Sequence, residues 1–237
     1  MSHSVSFDRL RAVVFDMDGL MVDTEPIHFA AFREYMRRHE VELPESVMPE
    51  FIGFSEQDNL RDLKTKYGLD EPLQAMIADR RAIYLELIRT LPIEVLPGFW
   101  EFTAAARARG MKQAVVSSAA AVQVEVVLGR LFERRGQARR SDPPSQSPCA
   151  YFDAIVTGDD VTRNKPAPDI YLEGARRLGV PPALCLALED SPPGAQSAAA
   201  AGMLVVAVPN RYTEGLAFPG AQGIAPSLQA AMGYLDW

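Results

Sequence analysis

The sequence predicts an α/β fold: a Rossmann-like parallel sheet core with helices on both faces, plus a small inserted α-helical cap domain. Five short apolar runs recur along the chain, each followed by polar turn residues and a helical stretch. Near-continuous apolar runs suit strands buried on both faces, and helices between them make βαβ units, hence a parallel sheet. The alternation breaks once. Nearly a hundred residues separate the first run from the second, too many for one crossover helix.

The first run is Ala12-Val13-Val14-Phe15. From Pro26 to Thr90 the pattern is helical, with Phe29, Phe32, Tyr35 and Met36 at helical spacing and breaks near Pro44, Gly53, Gly68 and Pro72. Four helices are expected there, entered after Leu20-Met21-Val22 and left through the stretch from Leu91 to Gly98. This gives a catalytic core over 1–21 and 96–237 and a helical cap over 22–95. The later runs are Gln113-Ala114-Val115-Val116, Ala154-Ile155-Val156, Leu184-Cys185-Leu186-Ala187-Leu188 and Leu204-Val205-Val206-Ala207-Val208. Helices over Glu101–Arg109 and Ile170–Leu178 each stop at a glycine, Gly110 and Gly179. Between Arg134 and Ala150 the arginines and prolines have the composition of a solvated mobile loop, with a basic lid or partner site as the other reading.

The chain has 237 residues and a net charge of −7, a balance that speaks for solubility and against a nucleic-acid-binding surface. No run approaches the roughly 18 apolar residues of a membrane helix, so no membrane partner is expected. The start, Met1-Ser2-His3-Ser4-Val5, lacks the basic region and apolar stretch of a signal peptide. Cys149 and Cys185 lie far apart and form no metal-ligand pattern, as expected of unpaired thiols in a reducing cytoplasm. A monomer is expected, with a dimer as the alternative.

In open parallel sheets ligands bind outside the carboxyl ends of the strands. Asp16-Met17-Asp18-Gly19 follow the first run, Ser117-Ser118 the second and Glu189-Asp190-Ser191 the fourth, while Lys165 lies beyond the third. Carboxylates gathered at one rim with a single lysine call for a cation. Such a set suits phosphoryl transfer through an aspartyl phosphate, in which a carboxylate nucleophile splits the transfer into two easier steps. Mg²⁺ prefers oxygen ligands and takes one or two carboxylates plus substrate phosphate. An aspartate two residues on can protonate the leaving oxygen and then activate water, and a lysine and a hydroxyl can hold the phosphoryl oxygens. The competing readings are local: Ser117 or Ser191 as helix N-caps, and Asp160, after the third run, as capping or turn chemistry.

These residues carry a resemblance. Asp16-Met17-Asp18-Gly19-Leu20, Ser117, Lys165-Pro166 and Glu189-Asp190 resemble, in order, the four motifs of the haloacid dehalogenase-like superfamily. The runs from Asp18 to Pro26, Lys165 to Tyr171 and Leu188 to Gly194 look like its β-phosphoglucomutase-like branch, with a helical cap after the first strand. The resemblance implies Asp16 as nucleophile and Asp18 as acid/base, its backbone carbonyl also on Mg²⁺. Ser117 would bind the phosphoryl group, with Ser118 completing that turn, and Lys165 would link phosphoryl group and Asp16. Asp190 would be the other direct metal ligand and Glu189 an outer one. The cap should choose the substrate, with Glu25, His28 and the segment Gly53 to Asp58 as candidates; a packed His28 stays equally open.

Dehalogenating members lack an acidic residue at the position of Asp18 and need no Mg²⁺, so Asp18 favours phosphate chemistry. In the mutases a cap-loop arginine grips the substrate's second phosphate. Here Glu56 stands at that position, and its carboxylate is expected to repel such a phosphate. The expected function is an Mg²⁺-dependent phosphatase acting on a small phosphorylated metabolite, a sugar phosphate or similar monoester. A β-phosphoglucomutase-type isomerase is the alternative. A phospho-accepting receiver module is remote, because there the accepting aspartate lies on the third strand. A nucleotide-binding module would want a glycine-rich phosphate loop, Gly-x-Gly-x-x-Gly or Gly-x-x-x-x-Gly-Lys, and neither is present.

Overall fold

The computed structural model describes residues 9–51, 55–138 and 147–235. In chain order the first elements are β1 (Ala12–Asp16), β2 (Val22–Asp23), α1 (Glu25–Arg38), α2 (Glu56–Tyr67), α3 (Leu73–Thr90) and β3 (Glu94–Val95). Then come α4 (Phe99–Ala108), β4 (Lys112–Val116), α5 (Ala121–Ala138), α6 (Pro148–Tyr151), β5 (Ala154–Val156) and α7 (Asp169–Leu178). The last are β6 (Cys185–Glu189), α8 (Pro192–Ala200), β7 (Leu204–Ala207), β8 (Gly223–Ile224) and α9 (Leu228–Ala231).

Six strands form one sheet in the order β5-β4-β1-β6-β7-β8, and every adjacent pair is parallel. β1 lies between β4 and β6 with all five residues buried, which is why its sequence is apolar on both faces up to Asp16. Side chains alternate across the sheet. Val14, Ala114, Ala187 and Val205 meet Ile170, Tyr171 and Ala175 of α7 and Ala195 and Ala198 of α8. On the opposite face Phe15 makes edge-to-face contacts with Phe99 and Phe102 of α4, ring centroids 5.7 Å apart, and with Phe152 at 6.5 Å. α7 ends at Gly179, φ 66°, the stop expected of that glycine.

The chain divides into two compact units, one holding the residues up to Asp23 and those from Glu94 onward, the other Thr24–Ile93. Val22–Asp23 and Glu94–Val95 pair as the antiparallel strands β2 and β3. Both of these strands lie in the unit that holds the sheet. Within the helical unit α1 packs on α3 and buries Ile27, Phe29, Phe32, Tyr35 and Met36. α2 starts at Ser55, whose Oγ accepts from the Asp58 N–H at 3.1 Å, and ends at Gly68, φ 65°. The helical segment between α1 and α2 is a 3₁₀ helix, Glu45–Phe51. Gly53 lies outside the described residues.

The stretch 134–150 departs from the expected loop at both ends: α5 continues to Ala138, and α6 begins at Pro148. Before the composition change α5 buries Val124, Val127, Leu128, Leu131 and Phe132, which anchor the helix that continues to Ala138. Residues 139–146 lie outside the described ones. Among the described residues no helix is long and apolar enough to cross a membrane. Both cysteines are free thiols, Cys149 exposed and Cys185 buried.

Candidate active site

After β1 the chain moves to β4 and β5 on one side of the sheet, then returns to β6 and β7 on the other. The crevice between the carboxyl ends of β1 and β6 is therefore the topological switch point, where such sheets place ligands. Phe15 pairs with Leu188, so the next residues, Asp16 and Glu189, stand level on neighbouring strands. Alternation puts both on the α7 face, with Val14 and Ala187. Asp16, Glu189 and Asp190 are all buried, and one carboxylate oxygen from each lies within 4.8 Å of the others.

Lys165 bridges two of them. Its Nζ is 2.6 Å from Asp16 Oδ1 and 2.6 Å from Glu189 Oε1, with its side chain only 10% exposed. Glu189 also accepts from the Tyr171 hydroxyl at 2.5 Å, and its Oε2 accepts from Ser191 Oγ at 3.0 Å. The Glu189 side chain is fully buried and occupied by the protein on both oxygens, which suits an outer role better than direct ligation. Burial, and next Glu189, push the Asp16 carboxyl up to about 7 against the opposing pull of Lys165. Burial works against the Lys165 ammonium, but Asp16 and Glu189 outweigh it and raise its pKa above the ordinary lysine value.

Asp18 is half-buried, and its Oδ2 accepts from Ser117 Oγ at 3.2 Å, joining the ends of β1 and β4. Ser117 Oγ accepts in turn from the Ala119 N–H at 3.1 Å, so this hydroxyl organises its own turn as well as facing Asp18. Ser118 is exposed on that turn. Asp190 Oδ2 accepts from Asn210 Nδ2 at 2.8 Å. Two glycines make room for the acids: a Cβ on Gly19 would lie 2.1 Å from Asp190 Oδ2, and one on Gly194 1.9 Å from Glu189 Oε1. The core unit thus brings together Asp16, Asp18, Ser117, Lys165, Glu189 and Asp190.

Tyr171, Asn210 and Gly194 have no role in the sequence reading. The readings of Ser191 and Asp160 as caps hold. Ser191 Oγ accepts from the Gly194 N–H, and Asp160 forms a capping box with Thr157.

In the helical unit Arg80 organises the candidate residues. Its side chain is 1% exposed. It meets Glu56 Oε1 at 2.9 Å, His28 Nδ1 at 2.8 Å and the His28 carbonyl at 2.8 Å. Because an arginine only donates, His28 Nδ1 accepts and the proton of the neutral ring sits on Nε2. The His28 ring stacks on Tyr84 with centroids 4.2 Å apart. Arg81 Nε holds Glu56 Oε2 at 2.7 Å. This corrects the expectation for Glu56: two guanidiniums offset its charge, so it offers no bare repulsion to a phosphate. Glu25 is half-buried in the first turn of α1.

The donor set of the core cluster is oxygen only, with more carboxylates than its one ammonium can balance. It fits a hard divalent cation, for which Asp16 and Asp190 could supply buried carboxylate oxygens. A carboxylate paired with a lysine, as Asp16 is with Lys165, can act as a nucleophile toward an electrophilic centre once it is ionised.

The model of the haloacid dehalogenase-like hydrolase family matches residues 10–202. The chain is 33% identical to Protein CbbY of Rhodobacter capsulatus, over 94% of this chain and 95% of that one. It is 30% identical to the fructose-1-phosphate phosphatase YqaB of Escherichia coli, over 85% of this chain and 98% of the relative. The crystal structure of CbbY from Rhodobacter sphaeroides in complex with phosphate superposes with a TM-score of 0.78 at 26% identity, covering 96% of this chain and all of that one.

Proposed function

The chain belongs to the haloacid dehalogenase-like hydrolase family, and we propose that it is an Mg²⁺-dependent phosphatase of small sugar phosphates, working through an aspartyl-phosphate intermediate. The observation that carries the reading is Lys165 bound at 2.6 Å to both Asp16 and Glu189, beside Asp190. It supports Asp16 as a nucleophile held in place and partly neutralised. The fructose-1-phosphate phosphatase among the relatives supports the substrate class. The free thiols support work in a reducing cytoplasm.

In the proposed reaction an Asp16 oxygen attacks phosphorus and the ester oxygen leaves with a proton from Asp18. Asp18 then takes a proton from water, which attacks the phosphorus of the aspartyl phosphate and returns Asp16 as a carboxylate. Ser117 and Lys165 hold the phosphoryl oxygens on which charge spreads. Asp16, the Asp18 carbonyl and Asp190 would hold Mg²⁺, which when bound screens the repulsion between the carboxylate and the phosphate. Ser118 lies beside the phosphoryl site, and Glu25 and His28 would meet the sugar, with Glu56 acting through Arg80.

The test is phosphate release with and without Mg²⁺ across a panel of phosphorylated sugars and other metabolites, with Asp16→Asn as control. Mg²⁺-dependent release lost in Asp16→Asn is expected, and release that survives the substitution would overturn the nucleophile assignment. A mutase is the second reading, favoured by the two guanidiniums on Glu56, which remove the repulsion of a second phosphate. Glucose 6-phosphate formed from β-glucose 1-phosphate with little free phosphate would establish it.

A further inference from the structure

We infer that Asn210 is a positioning residue: its side-chain amide orients the Asp190 carboxylate for cation binding and ties it to the turn after β1. Asn210 follows β7, at the same carboxyl rim as Asp16 and Asp190. Its Oδ1 accepts from the Tyr212 N–H at 2.8 Å and the Thr213 N–H at 3.3 Å, a turn that points the oxygen at its own loop. The nitrogen must then face the other way, where it donates to Asp190 Oδ2 at 2.8 Å and to the Gly19 carbonyl at 3.1 Å. Donors on one side and acceptors on the other leave the amide a single orientation.

The site is built tightly around this contact. Gly19 has φ 79°, and a Cβ there would lie 2.1 Å from Asp190 Oδ2 and 2.8 Å from Asn210 Nδ2. The space a side chain at position 19 would need is filled by the Asp190–Asn210 pair. One amide therefore joins three segments of the rim: the turn carrying Asp18 and Gly19, the end of β6, and the loop after β7. Partners that orient a metal-ligating carboxylate change metal affinity about 10–100-fold when removed. Asn210 touches neither nucleophile nor lysine in the contacts above, so its effect acts through Asp190.

This inference rests on the reading of Asp190 as a metal ligand, and the experiment separates the two. Mn²⁺ binding to the full-length protein is measured by the paramagnetic resonance of free Mn²⁺ for wild type, Asp190→Asn, Asn210→Ala and Asn210→Ser. Serine keeps an oxygen that can accept from the 212 N–H but has no amide to reach Asp190, so it covers the case in which alanine unfolds the loop. Expected are a Kd raised about 10–100-fold in both Asn210 variants and a matching rise in the Mg²⁺ concentration for half-activation. kcat should return to near the wild-type value at saturating Mg²⁺, which a structural defect would not allow. Wild-type Kd in both Asn210 variants, with binding lost in Asp190→Asn, overturns the role of Asn210 and leaves Asp190 a ligand. Equal binding by wild type and Asp190→Asn overturns both.

Discussion

Tyr171 donates its hydroxyl to Glu189 Oε1 across 2.5 Å, from within the apolar layer between the sheet and α7. The same oxygen accepts from Lys165, so the hydroxyl and the ammonium converge on one point and Glu189 cannot turn away from the lysine. Tyr171→Phe removes one donor and leaves the packing. A hydrogen bond to a charged group contributes about 1.5–3 kcal/mol, and if about half is felt in the transition state, kcat falls about 4- to 13-fold. Steady-state kinetics alongside thermal melting would check this; an unchanged kcat would leave Tyr171 as core packing only.

Lys165→Met should do more. It strips the counter-charge from two buried carboxylates, a loss that destabilises by about 3–5 kcal/mol when a buried pair is broken. It also removes the donor proposed for the phosphoryl oxygens, a loss for which a rate drop of about 10²–10³ is typical. Urea titration and phosphate release would measure the two effects. Lys165→Arg should not restore activity, because a planar guanidinium cannot replace a compact ammonium between two carboxylates. An active arginine variant would sink this account.

The helical unit holds its own buried charge. Arg80→Ala leaves Glu56 with Arg81 alone and frees the His28 ring from its Nδ1 donor. Stability should fall by about 3–5 kcal/mol, as for a broken buried pair. Arg81→Ala, at a side chain 43% exposed, should cost under about 1 kcal/mol. Equal losses from the two substitutions in denaturant titrations would contradict the assignment.

Asp160 gives a pH signature. Burial disfavours its charged form, but Arg177 and the Thr157 donors outweigh that and hold the carboxyl below the usual range. A depressed folded pKa gives stability that is present above the unfolded value near about 4 and lost as pH falls through the folded one. Asp160→Asn weakens the hydrogen bonds that Asp160 accepts from Thr157 and Arg177 and should destabilise by about 1 kcal/mol at pH 7, with the difference from wild type shrinking below about pH 4. Melting curves across that range would show a constant gap if Asp160 made no such contribution.

The acidic rim was legible in the sequence because buried apolar runs end abruptly in carboxylates at Asp16 and Glu189, and a parallel sheet brings all such ends to one edge. The family expected from those motifs is the family matched. Tyr171 and Asn210 were not legible as site residues, because an isolated tyrosine on an amphipathic helix and an asparagine in a turn have sufficient local explanations. Their partners are set only by which strands neighbour which. Glu56 misled for a related reason: its residue type is visible in sequence, but the arginines that offset it come from another helix. The strands β2, β3 and β8 have two residues each, too short for any periodicity to register.

The pairing of β2 with β3 has a consequence for how such a chain can change over time. Val22 faces Val95 and Asp23 faces Glu94, and the Leu96 N–H donates to the Met21 carbonyl at 3.0 Å, so the chain departs and returns at adjacent hydrogen-bonded positions. To the host sheet, everything between is one long hairpin loop, and the entropy of closing a loop grows only slowly with its length. The ladder fixes the ends whatever the loop contains. A lineage could exchange this whole segment for another, or shorten it to a tight turn, without disturbing the order of the six strands.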